Sequence, residues 1–352
     1  MPSTGKLPGR QHRGQNLPGG RKVNEMIITK TPFRMSFFGG GTDMESFFRE
    51  HGGAVLSTTF NKYCYVTVRR LPGFFDYSTE LAYSRIERVN KVEDLDHPAV
   101  RNAMQMLDVK DLRITYEADL PARSGLGTSS AFAVGMLNAF YVLKDQPVDK
   151  KKLADDAIYL ERTLCREAGG WQDQIAAAFG GLNRIDFGPD GYQVTPVDIA
   201  PERRELLCDN LLMFFTGFTR LSSEVQEMNA KGAPRDKTAR LKEMHQLVNE
   251  AQEILTNVSA DLDDFGRLLD VTWRLKKQTG SRISTSVIDE MYMRGMSAGA
   301  LGGKLLGAGS GGFLVFYVQP ENRERVRRAL GHLLEVPFRF EDSGTQVLYH
   351  QP

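Results

Sequence analysis

The stretch Leu120–Ala131, "LPARSGLGTSSA", packs two glycines and four hydroxyls into one bend, and an apolar run, "FAVGMLNAFYVL" (132–143), follows at once. Backbone amides at a helix start have no partner inside the helix, and the helix dipole leaves that end positive. Glycines let an anion approach those amides and permit positive φ. The stretch therefore reads as a phosphate cradle ahead of a helix that begins near Ser129. Thr128, Ser129 and Ser130 supply caps or ligand contacts. A well-capped helix after a tight turn is the plainer alternative. The chain has neither GxxxxGK(S/T) nor GxGxxG at this point, which counts against an ordinary P-loop ATPase and a dinucleotide fold.

Two further glycine clusters lie on either side. "FFGGGTD" (37–43) follows the first strand-like run, and "KLLGAGSGGFLVFY" (304–317) leads into an apolar strand. Each alone is compatible with a bulge or tight turn. Three such bends, each beside a regular element, point to backbone walls around one polyphosphate site.

Composition sets the frame. The chain has 352 residues, 41% hydrophobic and 25% charged, with a net charge of +1. That length allows two domains with sizeable cores. The charge balance gives no field for nucleic acid or an anionic membrane, and no apolar run is long enough for a membrane span. Cys64, Cys165 and Cys208 are far apart and form no CxxC pair, so a reducing, cytoplasmic setting is expected. The six histidines show no metal spacing. Residues 1–25 are rich in Gly, Pro and basic residues and are expected to form a disordered leader without a secretory h-region.

Periodicity gives a mixed α+β order. Residues 26–39 read as two strands with a turn at Pro32, 52–71 as strands, and 111–121 as a strand. Helices are expected at 97–108, 129–143, 149–166, 236–258, 261–278, 284–297 and 321–334. Residues 180–199 suggest a hairpin, with strands at 210–218 and 311–320 and a strand closing 335–349. The shift from strand-rich to helix-rich pattern places domains at 26–200 and 201–352.

The three glycine segments, in this order, resemble the GHMP kinase superfamily. The first family motif, (A/T)-P-x-(R/K) and a glycine step, stands here as "TPFRMSFFGGGTD". The second, P-x-x-x-G-L-G-(S/T)-S-(S/A), is "PARSGLGTSSA". The third, G-A-G-x-G-G, is "GAGSGG". Within the superfamily, "GGGTD" (39–43) and "GGWQDQIAAAFGG" (169–181) are most similar to the D-glycero-D-manno-heptose 7-phosphate kinases. Galactokinase-like members carry Gly-Glu-His-Thr-Asp at the first string, where this chain has Gly40 and Gly41. Fucokinase modules resemble the pattern too.

The resemblance implies a ribosomal-protein-like N-terminal domain that binds ATP and a ferredoxin-like, helical C-terminal domain. It also implies ATP and Mg²⁺, a small sugar or sugar-phosphate substrate, and neither nucleic-acid nor membrane partners; a homo-oligomer is left open. The expected reaction is transfer of the γ-phosphoryl group to an anomeric hydroxyl. A non-catalytic nucleotide-binding regulator is the rival from another class.

Carried over position by position, Asp173 in "WQDQ" takes the place of the catalytic base, the alternative being a helix N-cap. Arg34 would pair with it and stabilise charge on the transferring group. Arg123, Ser124, Gly125, Leu126, Gly127, Thr128, Ser129 and Ser130 would cradle ATP. Ser130 (or its neighbour Ser129) and Glu161 would hold Mg²⁺. Gly40, Gly41, Thr42, Asp43, Gln172, Gly307, Ala308 and Gly309 would meet the sugar. Gln174 could assist, and Thr42 could instead cap the following helix. For a distal substrate phosphate the basic candidates are Arg70, Arg69, Lys62, Arg123, Arg220 and Arg282, with no means of choosing among them.

Overall fold

The computed structural model describes residues 25–217 and 236–352. The expected leader, but for Glu25, and Arg220 lie outside the described residues. Strands β1 (Met26–Phe38) and β2 (Gly53–Arg70) form a long antiparallel pair. Its register slips between Pro32 and Phe33, because proline brings no N–H to the ladder. The expected turn at Pro32 is thus a bulge within one continuous strand.

β2 is shared between two sets of neighbours. Its second half pairs with β5 (Leu112–Ala118), which pairs in parallel with β3 (Thr79–Ala82), itself paired with β4 (Ile86–Val89). Its first half pairs with β6 (Leu182–Gly188), which forms the expected hairpin with β7 (Gly191–Pro196).

Helices pack on this sheet. They are α1 (Glu45–His51), α2 (Pro98–Met106), α3 (Thr128–Leu143), α4 (Lys150–Ile158) and α5 (Gln172–Phe179). α3 is the apolar run that follows the glycine loop. It is apolar on nearly every side because β1, β2, α4 and α5 surround it. The Thr29 hydroxyl donates to the Gly135 carbonyl at 2.9 Å, locking α3 against β1. The helix expected over 149–166 ends early: α4 gives way to a π-helical turn, Tyr159–Leu164.

The second sheet is antiparallel, in the order β11 (Leu334–Glu335), β8 (Leu211–Phe215), β10 (Phe313–Tyr317), β9 (Gly302–Leu305). α6 (Pro201–Asp209), α7 (Lys237–Thr256), α8 (Asp263–Lys277), α9 (Ser286–Ser297) and α10 (Arg323–Ala329) accompany it. The helix expected over 321–334 is shorter, because Leu334 begins a strand. The last segments return to the first sheet: β12 (Phe340–Glu341) pairs with β2 and β13 (Gln346–Gln351) with β1. A second unit running unbroken over 201–352 therefore does not match the strand pairing. Cys64, Cys165 and Cys208 are free thiols. Among the described residues, no helix is long and apolar enough to cross a membrane.

α8 joins the two sheets. The fully buried Phe265 meets Phe37 and Phe38 of β1 edge-on, with centroids 5.3 and 5.1 Å apart. Phe265→Ala is expected to cost about 3–5 kcal/mol of unfolding free energy. Urea denaturation followed by circular dichroism measures it. A loss below about 1 kcal/mol would show that this contact contributes little.

Candidate active site

Arg34 lies on β1, two residues past the bulge, and is buried. Its Nε donates to Asp173 Oδ1 at 2.7 Å and its Nη2 to Oδ2 at 3.0 Å, a bidentate fork. Nη1 donates to the Gly125 carbonyl at 2.7 Å, and the Arg34 amide donates to the Leu126 carbonyl at 3.1 Å. One arginine thus ties strand, glycine loop and α5 together. Asp173 stands in the first turn of α5, where Trp171 is the N-cap residue and no side chain caps. The N-cap alternative therefore fails. The Asp173 side chain is 26% exposed against 5% for Arg34, so the pair is open on the carboxylate side.

The glycine loop behaves as its composition predicts. Gly125 and Gly127 hold φ of +80° and +72°. A Cβ on Gly125 would lie 2.4 Å from the Leu306 carbonyl oxygen, so only glycine lets this loop touch the third glycine segment. Gly127 is the N-cap of α3, without a side-chain bond. The hydroxyls behind it are used elsewhere: Ser129 Oγ donates to Glu161 Oε1 at 3.0 Å and Ser130 Oγ to Oε2 at 2.7 Å. Glu161 sits on the π-helical turn and is 1% exposed, far from a solvated helix carboxylate. Arg162 and the Gln174 amide also reach it. Gln174 is buried and faces Glu161 rather than a sugar.

Asp43 is buried as well. Oδ1 accepts from the Gly41 amide at 2.8 Å and Oδ2 from the Gln172 amide at 3.4 Å. Burial, and then the nearby Asp173 carboxylate, push the Asp43 carboxyl above its ordinary range. Gln172 Oε1 is buried with no hydrogen-bond partner.

These groups line one cleft of about 900 Å³: Arg34, Asp43, Gln172 and Asp173; Arg123, Gly125, Gly127 and Thr128 through Ser130; Glu161; and Gly40, Gly41, Gly307 and Ala308. Four expected residues do not line it. Ser124 is fully buried and backs onto Gly312, and the Leu126 side chain is buried while its carbonyl accepts from Arg34. Thr42 neither caps α1 nor faces the cleft. Its hydroxyl is held between the Gly39 and Ala54 carbonyls at 2.8 Å each. Gly309 faces Ile283.

Three lysines that belong to none of the motifs also line the cleft. Lys304 Nζ is buried and donates to the Ser36 and Phe37 carbonyls at 2.9 and 2.7 Å. Burial, then Lys276 and Arg34, push it well below the ordinary lysine range. Lys276 on α8 donates to the Gly40 carbonyl at 2.9 Å, and Lys237 opens α7. A lysine inside the apolar run "LGGKLL" was the one available signal. At another part of the cleft, Tyr83, His97, Phe132 and Tyr116 form an edge-to-face aromatic chain, with neighbouring centroids 5.0–5.6 Å apart. Burial lowers the His97 pKa. Glu167 also lines the cleft, its carboxyl pushed up by burial and then by Glu161.

Comparison with known proteins addresses the family. Residues 91–181 match the GHMP kinases N terminal domain and residues 244–335 the GHMP kinases C terminal domain. A D-glycero-alpha-D-manno-heptose 7-phosphate kinase of Campylobacter jejuni is 30% identical over 317 residues, 86% of this chain and 93% of that protein. A solved D-glycero-D-manno-heptose 1-phosphate kinase from Bacteroides thetaiotaomicron superposes with a TM-score of 0.75 at 26% identity, covering 92% of this chain and 99% of that one. Lactococcus lactis galactokinase, solved with galactose, shares the fold at 17% identity and a TM-score of 0.70, over 92% of this chain and 95% of its own. Matched in both halves and 30% identical to a relative along nearly its whole length, the chain belongs to the GHMP kinase family and is a phosphotransferase with an alcohol group as acceptor.

Proposed function

We propose that the protein is an ATP-dependent sugar kinase that phosphorylates the anomeric hydroxyl of D-glycero-D-manno-heptose 7-phosphate, giving the 1,7-bisphosphate. The observation that carries the chemistry is the Arg34–Asp173 fork opening on the cleft that Gly125 and Gly127 also line. The 30% identical Campylobacter jejuni relative, whose own substrate is a heptose 7-phosphate, supports the sugar.

The roles follow from charge and geometry. Asp173 accepts the proton of the attacking hydroxyl, and the two-pronged Arg34 contact fixes where its carboxylate points. Arg34 also places a permanent cation beside the transferring group, in a partly enclosed site where it is weakly screened. Asp43, with both oxygens oriented by backbone amides, accepts from sugar hydroxyls. The unpartnered Gln172 Oε1 supplies a further acceptor. Backbone amides of the loop and the start of α3 bind phosphate oxygens.

Glu161 and Ser130 form a hard-oxygen set suited to Mg²⁺, which takes few protein ligands beside phosphate and water. Ser129 is the adjacent alternative. Bound there, Mg²⁺ would neutralise charge on the triphosphate. Glu161 is held for this by its hydroxyl and amide donors, which fix both of its oxygens.

ADP release is measured with heptose 7-phosphate, fucose, galactose and mannose at equal concentration. The heptose phosphate should give the largest kcat/KM. Turnover of galactose or fucose in its place would shift the reading to those kinases. No response to any sugar, with ATP binding intact, would favour a regulator.

Asp173→Asn should lower kcat by about 10²–10⁴-fold while ATP still binds. Near-normal turnover would remove its role as base. Glu161→Gln should raise the Mg²⁺ concentration for half-maximal rate by at least about tenfold. An unchanged Mg²⁺ dependence would place the metal elsewhere.

A further inference from the structure

Among the described basic residues that sequence offered for a distal substrate phosphate, only Arg123 lines the cleft, and it lies on the glycine loop. The cleft instead brings two lysines from the second half of the chain to the sugar wall. Lys276 projects from α8 toward "GGGTD": its Nζ bonds the Gly40 carbonyl and stands 3.4 Å from where a Cβ on Gly41 would be. Two glycines in succession leave room for that ammonium. Lys276 lies within electrostatic reach of Asp43, Lys237 and Arg34. Lys237, half-buried at the start of α7, makes no hydrogen bond or ion pair among the described residues.

The charges do not balance. By formal charge, seven Arg and Lys side chains line the cleft against five carboxylates, and Arg34, Lys237, Lys276 and Lys304 lie within electrostatic reach of one another beside Asp43 and Asp173. Arg34 is taken by Asp173, and Asp43 accepts from two backbone amides with Lys276 within electrostatic reach. Lys304 has only carbonyl partners. Burial together with like-charge neighbours depresses Lys276 and Lys304. A phosphate monoester carries about −1.5 to −2 charge near neutral pH, the sign that this crowding of cations calls for. An ammonium has three N–H donors, and Lys276 has given one to Gly40. A neutral sugar would leave the remaining donors desolvated and unpaired, which is how a cleft rejects a substrate lacking a group it was built to bind.

We infer that Lys276 and Lys237 form the subsite that grips the substrate's distal phosphate and so select a sugar phosphate over a free sugar. This rests on the proposed sugar-kinase reading and extends it to named residues.

The test compares kcat/KM for D-glycero-D-manno-heptose 7-phosphate with that for the same heptose after phosphatase treatment. The proteins are wild type, Lys237→Ala, Lys276→Met and Lys276→Arg. Wild type should prefer the phosphorylated sugar. Lys237→Ala and Lys276→Met should each shrink that preference by about 10- to 100-fold, chiefly through KM, and Lys276→Arg should retain most of it. Equal losses on both sugars would overturn the inference and leave Lys276 as a neighbour that positions Asp43. Should heptose fail as a substrate, the proposed function fails alone. Mannose 6-phosphate against mannose then gives the same ratio, and a wild-type preference for the free sugar would overturn the subsite. Should neither pair turn over, or Lys276→Met fail to fold, the thermal shift from inorganic phosphate decides, read on wild type and on Lys237→Ala, whose side chain is only half-buried. A shift in wild type that Lys237→Ala diminishes supports the subsite. No shift, or an equal one, overturns it.

Discussion

The Arg34–Asp173 ion pair is the constraint on which the cleft depends. Removing two charges from water is costly, and a buried pair seldom adds stability by comparison with a well-packed apolar one. Its value here is geometric. The guanidinium is planar and rigid, and its three nitrogens are committed to Asp173 and Gly125. The carboxylate therefore cannot move without disturbing both the glycine loop and β1. β1 itself is flanked by β2 on one side and, along its first residues, by the returning β13 on the other. A group that must be placed within a fraction of an ångström is thus carried by a well-anchored strand.

Close backbone contact sets the floor of the cleft. The loop at Gly125 touches the segment at Leu306 and Gly307, so the second and third glycine segments meet without side chains between them. Two units of the chain consequently share one cleft. α8 strengthens the junction from the other direction. Its Phe265 packs on β1, while its last turn carries Lys276 to the Gly40 carbonyl. Packing and electrostatics are coupled through a single helix.

Charge is distributed unevenly within the cleft. The Glu161 region gathers hydroxyl and amide donors around one buried carboxylate, with Glu167 nearby. The Asp43 region carries more cations than carboxylates. The Tyr83–His97–Phe132–Tyr116 region is aromatic. Such a partition suits a bisubstrate complex in which metal, sugar and nucleotide each meet a different chemistry.

Residue type and spacing by themselves determined the glycine loop, the helix that follows it, and the family. Glycine's conformational freedom and the vacant amides of a helix start are local properties, legible in "SGLGTSSA" without any partner. The same locality made Arg34, Glu161 and Asp173 recognisable as motif positions. Side-chain direction was not legible. Thr42 and Gly309 sit in the right motifs yet face inward, because Ala54 and Ile283 approach them from distant parts of the chain. The bulge at Pro32, the π-helical turn that presents Glu161 and the return of β13 to β1 depend on pairings or packing between elements. The lysines show the limit most clearly. Lys237, Lys276 and Lys304 share no motif with Gly40 or Asp43, and only the packing of α7, α8 and β9 against β1 and the loop after it brings their ammonium groups to one wall, since electrostatics depends on distance in space and not on order in the chain.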